Sequence, residues 1–123
     1  MNFKEILEKI LEFDQDIRFA AVFDRFGTIK EKIQRDNTSL VMSEFDTQNM
    51  LREAASSWFH RKNLKNILGR GHYSMTVYDK LVRITLPLNT DHFIIISHTN
   101  VADPPPIIKH TQQVLDSNEI DLE

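Results

Sequence analysis

IRFAAVFDRFGTIKEKIQ, residues Ile17 to Gln34, reads as two strands joined by a tight turn. The first arm, Ile17 to Phe23, is largely apolar on both faces. Ile17, Phe19, Ala21 and Phe23 fall on one side, and Arg18, Ala20 and Val22 on the other. Such a strand belongs in a sheet covered on both sides. Asp24-Arg25-Phe26-Gly27 is the turn, because glycine takes a positive φ that Phe26 resists. The second arm, Thr28 to Gln34, carries Lys30, Glu31 and Lys32, which makes it a poor interior strand and a well-protected edge.

Before the hairpin, Phe3 to Phe13 reads as a helix. Phe3, Ile6, Leu7, Ile10 and Leu11 form one apolar stripe at three- and four-residue spacing. After it comes a connection, Arg35 to Met42, and then a long helix, Glu44 to Leu68. Ser43 is its expected N-cap, with Glu44 and Asp46 in the first turn where carboxylates favour the helix dipole. No Gly or Pro interrupts it, and Gly69 is a natural stop. Leu51, Ala55, Trp58 and Lys62 trace one stripe, and Met50, Ala54 and Ser57 an adjacent one of smaller residues. Three strands follow, His72 to Tyr78, Leu81 to Leu86 and His92 to Thr99, separated by turn-like residues. Asp103 then caps a last helix with proline in its first turn, whose inward stripe is Ile107, Ile108, Thr111, Val114 and Leu115. The order α-β-β-α-β-β-β-α implies an α+β fold: a five-stranded antiparallel sheet flanked by helices on both faces.

The chain has 123 residues and a formal charge of −3. That length predicts one domain, here residues 1–117, followed by an acidic tail, 118–123. The absence of cysteine excludes a disulfide framework and a thiol nucleophile. No apolar run is long enough to span a bilayer, and the N-terminus does not read as a signal peptide, so a cytoplasmic location is expected. The net charge argues against general nucleic-acid binding. The charge is unevenly spread, however: between Glu53 and Asp79 no residue is acidic, while Arg61, Lys62, Lys65 and Arg70 are basic.

On the IRFAAVFDRFG segment, the long helix and the three closing strands, the chain resembles the roadblock/dynein light chain family of the profilin-like and longin-like group. It also looks like small archaeal single-domain proteins. The resemblance covers nearly the full length. It implies a homodimer that acts as a scaffold or as a co-regulator of small Ras-like GTPases. It also implies the strand order second, first, fifth, fourth, third. The charged second strand would then close one edge of the sheet. His72 to Tyr78, with no Asp, Glu, Lys or Arg, would leave the other open. The resemblance implies that this strand pairs with its copy across a two-fold axis, alongside the long helix. The expected interface residues are Tyr73, Met75 and Val77 on the strand and Met50, Ala54 and Ser57 on the helix. An edge that is simply short, or covered by the chain's own loop, is the plainer reading.

PAS-like sensor domains share this order, and imply instead a small-molecule pocket between the long helix and the sheet. Trp58 and Phe59 would line it, although aromatic residues facing a sheet are more often core. The unbroken helical pattern in the middle of the chain fits the PAS arrangement less well.

No catalytic chemistry stands out. His92 and His98 lie on the same face of one strand, but at about 3.3 Å per residue they are roughly 20 Å apart, too far to share a metal. His60, His72 and His110 have no ligand spacing. Asp24 is the one acid between large apolar residues, and turn chemistry accounts for it. No nucleophile elbow, metalloprotease or phosphate-loop motif is present. The chain is expected to be non-enzymatic, with no metal and no cofactor. Arg61, Lys62, Lys65 and Arg70 are a candidate patch for an acidic partner, which the chain's own acidic stretch Asp116 to Glu123 could itself supply, although cations also suit a helix C-terminus for electrostatic reasons alone.

Overall fold

The computed structural model of the chain describes residues 2–35, 43–99 and 103–117. The elements are α1 (Phe3–Phe13), β1 (Ile17–Asp24), β2 (Ile29–Gln34), α2 (Glu44–Lys62), α3 (Lys65–Leu68), β3 (Ser74–Val77), β4 (Val82–Pro87), β5 (His92–His98) and α4 (Pro104–Ser117). The five strands form one antiparallel sheet in the order β2-β1-β5-β4-β3. The expected architecture and edges are therefore present. The tail 118–123 and most of the connection after Arg35 lie outside the described residues.

Each face of the sheet carries its own core. On one face, Ile6, Leu7, Ile10 and Leu11 of α1 and Ile107, Ile108, Val114 and Leu115 of α4 pack on Ala20, Val22, Ile84, Leu86, Ile94 and Ile96. On the other, Leu51, Ala55 and Trp58 of α2 pack on Phe19, Ala21, Phe23, Phe93 and Ile95. The stripes read from α1 and α4 are the buried ones. Asn2 caps α1 by accepting from the Glu5 N–H at 2.9 Å, and Ser43 caps α2 by accepting from the Asp46 N–H at 3.1 Å.

Four details differ from the expectation. Ile17 packs in the α1/α4 core, not with Phe19. The cause is a β-bulge: two steps of β1, Ile17 to Phe19 by way of Arg18, oppose a single step of β5, His98 to Ser97. The extra residue, Arg18, is exposed, and side-chain direction reverses across it. Second, the long helix is broken. The Asn63 N–H bonds to the His60 and Arg61 carbonyls, which tightens the last turn of α2 before α3 begins. Third, Lys62 does not continue the buried stripe; it is exposed, beyond the edge of the core. Finally, the strand expected over His72 to Tyr78 is shorter. Tyr73 precedes β3, and the Tyr78 N–H closes the following turn on the Leu81 carbonyl at 2.8 Å.

Candidate functional site

The β3 edge is the open side of the sheet. Ser74, Met75, Thr76 and Val77 pair inward with Thr85, Ile84, Arg83 and Val82 of β4, and among the described residues no further strand lies outside them. Register places Met75 and Val77 on the α1/α4 face, in line with Ile84 and Val82. Both remain accessible, at 43% and 64% exposure, and Tyr73 beside the strand is exposed too. The opposite edge, β2, alternates half-buried Ile29, Glu31 and Ile33 with exposed Lys30, Lys32 and Gln34. A bulge there sets Phe23 against Ile29 directly after Val22 against Glu31.

Of the nineteen residues of α2, only Leu51, Ala55 and Trp58 are buried, and nine are exposed. Met50, Ala54 and Ser57 are half-buried along one flank. Arg61 lies one turn further on the same flank, and its Nη2 sits 3.5 Å from the Ser74 hydroxyl of β3. The flank therefore faces the β3 side of the sheet. Structure thus brings the helix residues and the strand residues to one side of the molecule, though in different layers.

The four basic residues converge. Arg61, Lys62, Lys65 and Arg70 line a single concavity of about 260 Å³ with Trp58, Gly71, Pro87, Asn89, Thr90 and Phe93. The Arg61 guanidinium lies over the Trp58 ring at 4.8 Å, and Lys62 Nζ donates to the Thr90 carbonyl at 2.9 Å. A side chain at Gly71 would meet the Trp58 ring at 2.9 Å, so the loop after α3 rests directly on the indole. Among the described residues, no acidic one lines the concavity.

Trp58 is core rather than pocket wall on the sheet side. Its indole N–H donates to the Thr85 hydroxyl at 2.9 Å, and its ring stacks near Phe93. Phe59, expected beside it, points away and is exposed. A concavity of about 680 Å³ does lie between the N-terminal half of α2 and the sheet, with Phe19, Ile29, Phe45, Met50, Arg83 and Ser97 among its lining.

Turn chemistry accounts for Asp24. Its Oδ1 accepts from the N–H groups of Phe26 at 2.9 Å and Thr28 at 3.0 Å, and Lys30 approaches its Oδ2 at 3.6 Å. Burial pushes the carboxyl upward, but the two backbone hydrogen bonds and the Lys30 charge outweigh it and hold the group below its ordinary value. Gly27 has φ +84, and an added Cβ would sit 2.9 Å from the Arg52 backbone. Its carbonyl accepts from Gln48 Nε2 at 2.7 Å, tying the turn to α2.

The histidines are dispersed. His92 contacts Asn89 and the Phe3 ring, His98 is fully buried with Nδ1 2.7 Å from the Thr99 carbonyl, and His110 stacks on Phe13. Among the described residues no group of His, Cys, Asp or Glu is placed to hold a metal ion, and no helix is long and apolar enough to cross a membrane.

Architecture places the chain among solved structures. The gliding protein MglB of Thermus thermophilus superposes with a TM-score of 0.75 at 13% identity, over 93% of this chain and 83% of that one. A roadblock/LC7 domain of Streptomyces avermitilis gives 0.72 at 8% identity, over 95% and 94%. The fold is that of the roadblock and profilin group. A profilin of Schizosaccharomyces pombe gives 0.63 at 12% identity, over 94% and 95%. No protein-family model and no curated protein sequence matches the chain. At these identities the roadblock likeness is one of fold.

Proposed function

We propose that this roadblock-fold protein is a non-enzymatic homodimer that serves as a protein-interaction platform, with a small Ras-like GTPase as the class of partner. The observation that carries the reading is β3, an open sheet edge without Asp, Glu, Lys or Arg and with Met75 and Val77 exposed. A strand of this kind is a template for another strand. Pairing with its own copy about a two-fold axis is the simplest closed solution. The flank of α2 that turns Met50, Ala54 and Ser57, all half-buried, toward the same side supports it, because small residues let helices approach closely. The GTPase class comes from the roadblock resemblance, and such a partner would bring its own phosphate-binding loop. A cytoplasmic location and a single domain over residues 1–117 belong to the same reading.

Solution mass tests the dimer. The parent protein should run at twice the chain mass, and Met75→Lys should halve it while helical content is kept. A monomeric parent at high micromolar concentration overturns the dimer, and an unchanged mass in the variant moves the interface away from β3. Titration with a purified Ras-like GTPase in its GTP- and GDP-loaded forms tests the partner class separately.

The 680 Å³ concavity favours a second reading, a small-molecule sensor of the PAS type, since its volume falls in the range of ligand cavities. Its test is direct: a small molecule that co-purifies and is released on denaturation.

A further inference from the structure

The break between α2 and α3 leaves a feature that neither the dimer nor the sensor uses. Leu64, Ile67 and Leu68 occupy one side of the α3 turn at three- and four-residue spacing. All three are exposed, Ile67 at 78% and Leu68 at 74%. Lys65 lies within the same turn, and Arg61, Lys62 and Arg70 flank it around the concavity. Arg61 and Lys62 make their polar contacts with the Ser74 hydroxyl and the Thr90 carbonyl, and the ion pair of Lys30 with Asp24 lies elsewhere, at the β1–β2 turn. Arg61, Lys62 and Lys65 converge without a carboxylate among the described residues that line the concavity. The helix dipole favours cations at this end of α2, but it gives no reason for three large apolar side chains to stand in solvent beside them.

Apolar side chains projecting from a turn ringed with cations suit a surface that is oily within and negative outside. The concavity, at about 260 Å³, is below the range for a drug-sized ligand, and so takes a headgroup rather than a whole metabolite. A phosphate offers several acceptor oxygens to the Arg fork and the Lys ammonium groups together, whereas a lone carboxylate matches one guanidinium. We propose that the segment from Arg61 to Arg70 is a peripheral contact for an anionic phospholipid surface. Its cationic concavity holds a headgroup phosphate, and Leu64, Ile67 and Leu68 enter the acyl boundary. Leu64, Ile67 and Leu68 lie outside the residues assigned to the β3 contact, and of the cations Arg61 borders that contact through Ser74.

Vesicle co-sedimentation of the full chain tests it, with Trp58, the sole tryptophan, as a fluorescent reporter in the wall of the concavity. Partition onto phosphatidylcholine vesicles containing phosphatidylglycerol should exceed that onto pure phosphatidylcholine by about tenfold or more, and should fall as salt is raised. Lys62→Ala with Lys65→Ala should lose most of this preference. Ile67→Ser with Leu68→Ser, both at exposed positions, should lower partition several-fold with unchanged thermal stability. No partition by the parent, or no preference for the anionic vesicles, overturns the proposal. So does partition that the serine variant leaves intact, because adsorption is then purely electrostatic. A saturable Trp58 response to glycerol 3-phosphate without vesicle binding overturns it in favour of a soluble phosphomonoester. A fall in solution mass of the serine variant, again without vesicle binding by the parent, assigns the apolar turn to a second copy.

Discussion

Replacing Gly27 by alanine strains the hairpin in two ways. Its φ of +84 disfavours any side chain, and the new methyl group would press on the Arg52 backbone at 2.9 Å. Together these should cost roughly 2–4 kcal/mol, read as a lowered urea midpoint. Asp24 makes the turn sensitive to acid. Its folded-state pKa lies below the unfolded value, so its contribution is fully present above about pH 4 and is lost as pH falls through the folded value. Asp24→Asn keeps an acceptor oxygen but loses the charge. Its melting temperature should lie below that of the parent near neutrality, and the gap should close on acidification. Loss of charge assistance to the two backbone hydrogen bonds accounts for most of this, on the order of 1 kcal/mol; the Lys30 pair, with the lysine 44% exposed, adds little. Turn chemistry at Asp24 and Gly27 was readable in the sequence because it is local. Arg35 was not: its guanidinium donates to the Leu11, Asp14 and Ile17 carbonyls at 2.7, 3.0 and 2.8 Å. Nothing local marks a linker arginine as the staple between α1 and β1.

At the scale of elements, α1, α4 and the two sheet edges were legible because each has a plain apolar period or a plain charge pattern. The bulge at Arg18 escaped, since strict alternation puts Ile17 with Phe19. The break after Lys62 escaped as well, because Asn63, a weak helix former, is the single signal for it in a stretch without Gly or Pro. Of the candidate patch, the four cations were visible but their convergence was not. Arg70 reaches the concavity only because the chain doubles back after α3 and lays Gly71 on Trp58. The elements also differ in how firmly they are held. β1 and β5 lie between two cores, whereas α2 buries three side chains. In the monomeric Met75→Lys protein, amide exchange should be slowest in β1 and β5 and clearly faster in α2. In the parent, α2 should be protected further. Equal α2 exchange in the two proteins would separate this helix from the proposed dimer contact.

For the whole molecule, the question is how an open sheet edge is kept from indefinite growth. Replacing Lys30 and Lys32 by valine removes the two exposed cations of β2. The variant should form species heavier than two chains by light scattering, whereas the parent should not. An unchanged mass would place the barrier in the bulge opposite Val22 and Phe23.

The charged and bulged β2 thereby acquires a meaning beyond its own strand. A unit with two adhesive sides can add copies without limit and become a fibre. A unit with one adhesive side terminates its own polymer: the first partner satisfies it, and the second partner finds nothing to hold. Lys30, Glu31 and Lys32 would then set the number of copies in the particle although they lie at the edge of the sheet opposite to the one where the copies meet.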